Sequence, residues 1–157
     1  MKPVIVLWFF LPFAVLLFFG CVLKEAESEK VPALVVRVVD GDTIKIDGGE
    51  SVRLIGINST ERGEECYIEA KQKLTELVDG KIVLLEKDVE NRDKYGRLLR
   101  YVYLDGNFVN LQMVEAGFVY AYEYPPSVRY AEKIAKSEEK AQAGHAGCLW
   151  QNKGTNN

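Results

Sequence analysis

The sequence predicts an α+β domain, mainly β, with five short strands and three helices behind an apolar N-terminal segment. Three observations predict it. From Val36 to Ile46 and from Val52 to Ile57 apolar and polar residues alternate, with Asp47-Gly48-Gly49-Glu50 between them; alternation broken by such a turn signals a β-hairpin. Ile82-Val83-Leu84-Leu85 is an apolar run too short for a helix. Around Leu74 and around Ile134 the apolar spacing changes to that of a helix.

Taken in order, Pro32 admits a first strand, Leu34 to Lys45, and the hairpin's second run follows as Val52 to Ile57. Arg62-Gly63-Glu64-Glu65 is a polar loop. From Cys66 to Val78 the residues Tyr67, Ala70, Leu74, Leu77 and Val78 recur at helical spacing, and Asp79-Gly80 stops the helix. Lys81 to Val89 reads as a strand, Glu90 to Gly96 as a turn, and Leu98 to Leu104 as a strand closed by Asp105-Gly106-Asn107. Val109 to Ala116 is a short helix with Leu111, Met113 and Val114 inward. Phe118 to Tyr124 is aromatic and extended, ended by Pro125-Pro126. Ser127 is placed to cap a last helix to Ala143, with Tyr130, Ile134, Ala135 and Ala141 on its buried side.

At 157 residues and 48% hydrophobic the chain can bury one core. Part of that apolar content lies outside it. Val4 to Phe19 follows a single Lys2 and is nearly unbroken. It is shorter than the ~20 residues a spanning helix needs and resembles the hydrophobic region of a signal peptide. Gly20-Cys21 is similar to the end of a lipoprotein signal, although the residues before it are bulky; the alternative is an uncleaved anchor. The expected organisation is a signal or anchor at 1–21, a charged tether at 22–32, a domain at 33–150 and a tail at 151–157. The domain is thereby expected outside the cytoplasm, cell-surface or extracellular, held to the membrane through a Cys21 lipid or an uncleaved segment.

With Cys21 used for lipid, Cys66 and Cys148 remain as an even pair in an oxidising compartment, so a disulfide is expected; the alternative is two buried free thiols. No Cys-x-x-Cys or Cys/His spacing points to zinc. The net charge is −3, which excludes a nucleic-acid binder working by overall basicity. Any such role must rest on a bound cation and a local arginine cluster.

Such a cluster is legible. Asp40 and Asp42 lie two apart on the expected first strand and so share a face. Asn58 and Glu61 follow the second run at once, and Arg53 lies within it. Hard oxygen donors suit Ca²⁺ or Mg²⁺, and a guanidinium fork suits phosphate.

Three segments carry a resemblance: Asp40-Gly41-Asp42-Thr43, then Arg53-Leu54-Ile55-Gly56-Ile57-Asn58-Ser59-Thr60-Glu61, then Asp93-Lys94-Tyr95-Gly96-Arg97. In this order and spacing they resemble the signature segments of the staphylococcal nuclease (thermonuclease) family, over Leu34 to about Trp150. The resemblance implies a five-stranded barrel of the oligonucleotide-binding (OB) type with three packed helices. It implies Ca²⁺-dependent endonucleolytic hydrolysis of DNA or RNA by a monomer, cutting the 5′-O–P bond to leave 3′-phosphate ends.

Residue by residue, it makes Asp42 a metal ligand, with Asn58 where an acidic ligand usually stands, Ser59 offering its backbone carbonyl and Asp40 in the outer shell. Arg53 and Arg97 match the phosphate-binding arginines, and Glu61 the general base or water-orienting carboxylate. Lys94 is placed to touch a terminal phosphate. Tyr95, Tyr122 and Tyr124 read either as base-contacting rings or as barrel-edge core. The competing readings are a non-catalytic OB-fold nucleic-acid-binding lipoprotein and a protein-interaction lipoprotein; neither needs Asp42, Arg53, Glu61 and Arg97 together.

Overall fold

The structure, a computed structural model, describes residues 28–151. The apolar N-terminal run, Cys21, most of the expected tether and nearly all of the expected tail lie outside the described residues.

The first strand begins earlier than the sequence suggests. β1 runs Lys30–Asp40, and Lys30, Val31 and Pro32 pair antiparallel with Glu86, Leu85 and Leu84 of β5 (Ile82–Glu86). Residues 30–32 therefore belong to the barrel and not to a tether. Pro32 is tolerated because only β5 flanks this end of β1, β2 pairing from Val35 onward.

A second correction concerns the first expected strand, Leu34 to Lys45. It is two strands. β1 ends at Asp40, Gly41-Asp42 turn the chain, and β2 (Thr43–Ile46) returns antiparallel with Asp40 opposite Thr43. Gly41 is required there by space: a Cβ would stand 2.7 Å from Ala70 Cβ and 2.8 Å from Ser59 Cβ.

The loop at 47–50 then leads to β3 (Ser51–Leu54), antiparallel to β2. The expected run Val52 to Ile57 is also split: Ile55-Gly56 turn before β4 (Ile57–Asn58), with Gly56 at φ +83° and its missing Cβ giving room to Ile134.

α1 (Tyr67–Val78) buries Ala70, Leu74 and Val78. β6 (Leu98–Leu104) pairs antiparallel with β5 and, through Val52–Leu54, parallel with β3. That parallel contact closes β3-β2-β1-β5-β6 into a five-stranded barrel. β7 (Asn107–Phe108) extends it at β6. Ile44, Leu54 and Val102 from the barrel meet Leu74 of α1 and Met113 of α2 (Val109–Glu115) in one core. Each such side chain contributes about 1.5–3 kcal/mol on burial.

Asn110 of α2 is wholly buried. Its Oδ1 accepts from Val102 N–H at 2.9 Å and its Nδ2 donates to Ile55 C=O at 2.8 Å, satisfying a turn that the sheet leaves unpaired.

β8 (Tyr120–Ala121) pairs with β4, and α3 (Ala131–Ala143) and α4 (Gly147–Trp150) complete the described chain, so four helices stand where three are expected. Ser127 does not cap α3, whose N-cap is Tyr130. It is buried, and its Oγ accepts from Glu90 N–H at 3.0 Å, tying the turn before β6 to the chain that follows Pro126. Ala135 is exposed and Ser137 takes the buried place on α3. Cys66, just before α1, is joined by a disulfide to Cys148 of α4, with Cα atoms 5.5 Å apart.

Candidate active site

The Asp40–Thr43 turn brings its two carboxylates together by folding back, not by strand alternation. Asp42 N–H donates to Asp40 Oδ1 at 3.1 Å. Asp42 is buried; its Oδ2 accepts from Ser59 N–H at 2.7 Å and its Oδ1 from the Thr43 hydroxyl at 2.9 Å. One carboxylate thus fixes the chain after β4 against the start of β2. Burial and the Asp42 charge raise the Asp40 carboxyl above its ordinary range.

Arg53 points from β3 into the same place and is only 6% exposed. Its Nη1 donates to Leu54 C=O at 2.6 Å, and its Nη2 lies 2.9 Å from Asn58 Oδ1 and 3.2 Å from Asp42 Oδ2. Burial lowers its pKa, and Asp42 opposes that while Arg97 adds to it.

Arg97, partly exposed, stands opposite. Asp93 holds it: Oδ2 accepts from Nε at 2.6 Å and Oδ1 from the Arg97 and Tyr95 N–H groups at 2.9 Å each. Burial would raise the Asp93 carboxyl, but these bonds outweigh it and keep it below the ordinary range. Arg97 Nη1 reaches Thr43 Oγ1 at 3.3 Å. Its terminal nitrogens are otherwise left to the cleft.

Asp40, Asp42, Arg53, Asn58, Asp93 and Arg97 line one cleft of about 740 Å³. Glu61 lies in its wall, exposed, with its own N–H held by Glu64 Oε2 at 2.7 Å. Its carboxylate makes no hydrogen bond to the described residues, so it is available to water.

Lys94, Tyr95, Tyr122 and Tyr124 line the same cleft. Tyr95 is 72% and Tyr122 51% exposed, so neither is core. Tyr124 is half-buried and packs on the Ile55–Leu99–Tyr101 cluster, while its ring meets that of Tyr122 at 6.3 Å between centroids. The residues expected to hold metal, phosphate, water or bases all line this cleft; the Cys66–Cys148 pair does not, and Cys21 lies outside the described residues.

The residues missed from sequence are those that hold the others. Asp93 heads the Asp93–Arg97 segment, where an Asp before Gly96 in a tight turn is a signal for such a brace. Thr60 had no signal at all: its Oγ1 is buried in the cleft wall without a hydrogen-bond partner among the described residues.

The fit to a cation can be tested on these donors. Among the described residues no three acidic, His or Cys side chains gather as a metal site. What gathers is two carboxylates, Asp40 and Asp42, with the Asn58 amide, the Ser59 backbone and the unsatisfied Thr60 oxygen. An all-oxygen set of low charge fits a hard divalent cation held weakly, not zinc or copper.

Comparison with known proteins decides the family. The sequence model of the family described as staphylococcal nuclease homologue matches residues 51–152. This chain belongs to the staphylococcal nuclease family. It is accordingly a phosphodiester-hydrolysing nuclease. The matched stretch contains Arg53, Asn58, Glu61 and Arg97; Asp40 and Asp42 lie just upstream of it.

Among the nuclease's relatives, the thermonuclease of Staphylococcus intermedius is 38% identical over 118 residues, covering 69% of this chain and 70% of that protein. The thermonuclease of Staphylococcus hyicus is 33% identical over 121 residues, 69% of each. The SPbeta prophage-derived endonuclease YokF of Bacillus subtilis (strain 168) is 37% identical over 127 residues, covering 74% of this chain but only 43% of its own length.

Proposed function

We propose that this nuclease is an exported, Ca²⁺-dependent endonuclease acting on DNA or RNA as a monomer, through the cleft between the Asp40–Thr43 turn and Arg97. The observation that carries the reading is the convergence of two arginines, two buried-side carboxylates and one unbonded carboxylate on that single cleft.

Asp42, Asn58 and the Ser59 carbonyl would hold Ca²⁺, with Asp40 behind them; bound there, the cation would supply charge neutralisation to the phosphate and lower the pKa of a coordinated water. The chain's own residues do the rest. Arg97, its Nε committed to Asp93, presents its remaining N–H groups to the non-bridging oxygens of the scissile phosphate. Arg53, fixed by Leu54 C=O and Asn58, meets the extra negative charge as phosphorus becomes five-coordinate. Because both guanidiniums are already oriented, little reorganisation is left for the transition state.

Glu61 orients the attacking water and accepts its proton. The P–O5′ bond breaks opposite, and a solvent proton completes the 5′-hydroxyl, leaving a 3′-phosphate. Tyr95 and Tyr122 offer exposed rings to neighbouring bases, a contact tolerant of sequence. Lys94 Nζ, 5.0 Å from the Tyr95 ring centroid, stands beside them for an adjoining phosphate.

Export is supported by the Val4–Phe19 run and Cys21, and by the Cys66–Cys148 disulfide, which an oxidising compartment preserves. The membrane would then be reached through a Cys21 lipid or an uncleaved N-terminal segment.

The test is digestion of single-stranded DNA by the purified full chain with Ca²⁺, with Mg²⁺ and with excess chelator, followed by end analysis. Cleavage with Ca²⁺ to 3′-phosphate ends and arrest by chelator are expected. Undiminished cleavage in chelator would remove the metal from the reading.

A further inference from the structure

Beside the catalytic cleft lies a second one of about 770 Å³ along the outer face of α1. Tyr67, the first residue of α1, lines both, so the two clefts adjoin at its side chain. Its wall carries Arg62 and Lys71, neither of which has an ion-pair partner among the described residues, in a chain of net charge −3. Glu76 also lines it but is 3.7 Å from Lys73, which offsets its charge. Ile68, between Arg62 and Lys71 in sequence and lining the same cleft, is 63% exposed, a large apolar side chain on the solvent face of an amphipathic helix.

Unpaired cations flanking an exposed apolar side chain, opening from a phosphodiester-cutting cleft, match one kind of occupant. A single-stranded nucleic acid carries a phosphate for each cation and bare base faces for the apolar surface, whereas a duplex hides those faces. The geometry points to a substrate path: we propose that the strand leaving the scissile phosphate passes Tyr67 and lies in this second cleft. Arg62 and Lys71 take successive phosphates, and Tyr67 and Ile68 take bases.

This rests on the catalytic reading of the first cleft, and it makes the nuclease prefer single-stranded segments long enough to fill both clefts. No proton or bond is moved here; the second cleft contributes affinity alone. Its effect therefore falls on KM for long strands and not on the chemical step.

The experiment measures binding in chelator, where hydrolysis does not intervene, using the full chain and labelled oligothymidylates. One strand has about twelve nucleotides, within the span an OB-type domain covers; the other is a dinucleotide that the catalytic cleft holds alone. The double variant Arg62→Ala with Lys71→Ala is expected to weaken the longer strand about tenfold. It should also flatten its salt dependence by about 1.4 in log–log slope, some 0.7 for each phosphate contact to single strands. Dinucleotide affinity is expected to stay, which also reports an intact fold. Ile68→Ser is expected to weaken the longer strand while leaving its salt slope in place.

Unchanged affinity and slope for the longer strand would overturn the path, as would equal loss for both ligands. Should the full chain fail to cut nucleic acid yet show these length-dependent losses, the catalytic reading falls and the binding path stands. Should it cut while the variant binds like the parent, only the path falls.

Discussion

Asn58→Asp tests the site at its least charged donor. The Asn58 Oδ1 lies 2.9 Å from Arg53 Nη2, and that nitrogen lies 3.2 Å from Asp42 Oδ2, so a new carboxylate would join two existing ones around the cation position. A unit-charge pair at ~4 Å near a protein surface is worth about 4 kcal/mol, and a divalent cation doubles the charge on one side. Much of that is offset. Desolvating a third carboxylate costs free energy, and Arg53, already within hydrogen-bond reach of position 58, competes for its charge.

The net expectation is a tightening of Ca²⁺ by at least about tenfold, about 1.4 kcal/mol. Turnover at saturating Ca²⁺ should change less, because Arg53, Arg97 and Glu61 are untouched. Two titrations measure it: the rate of single-stranded DNA degradation against Ca²⁺, and the rise in Tm against Ca²⁺ without substrate. Equal midpoints in parent and variant would show that Asn58 is not a ligand, and no activity in the parent at any Ca²⁺ concentration would show a decayed site.

Arg53→Lys and Arg97→Lys each remove a fork while keeping a charge, and each should lower kcat at least about 10²-fold; near-native turnover of either would withdraw its role. Their stabilities should differ, since Arg53 is buried with three oxygen partners and Arg97 is partly exposed with one carboxylate, so Tm falls more for Arg53→Lys than for Arg97→Lys. The Cys66–Cys148 bond spans a sequence separation of 82, for which loop closure predicts about 4.5 kcal/mol; Cys66→Ser with Cys148→Ser should lower Tm strongly, and two titratable thiols at these positions in unreduced protein would refute the bond. Asp93 is held below the ordinary carboxylate range, so it contributes stability above that range and loses it as pH falls through its lowered value. Asp93→Asn should therefore lower Tm at neutral pH and converge with the parent in acid; parallel Tm–pH curves would contradict this.

Asp40, Asp42, Arg53, Asn58, Glu61 and Arg97 were legible as a set because their chemistry is written in side-chain type and in short spacings. The helix Tyr67–Val78 and the strand Leu98–Leu104 were equally legible, since period and turn residues are local properties. Asp40 and Asp42 meet across a turn and not along one face of a strand. Asp40-Gly41 is a local turn signal, but the strand-forming residues on both sides of it also allow one continuous strand. Ala70 and Ser59, packed against Gly41, leave room for no side chain at this turn.

The same limit explains the braces. Asp93 beneath Arg97 and Asn110 beneath the Ile55-Gly56 turn acquire their roles from partners that periodicity does not name.

By itself the sequence determined which groups were available: hard oxygens, two guanidiniums, tyrosines, and enough alternating apolar residues for a small barrel. Only the tertiary structure decided that they share one cleft. The parallel pairing of Val52–Leu54 with Leu98–Arg100 closes the barrel and sets Arg53 across from Arg97. Such closure is fixed by packing between residues more than forty positions apart, which local sequence patterns do not encode.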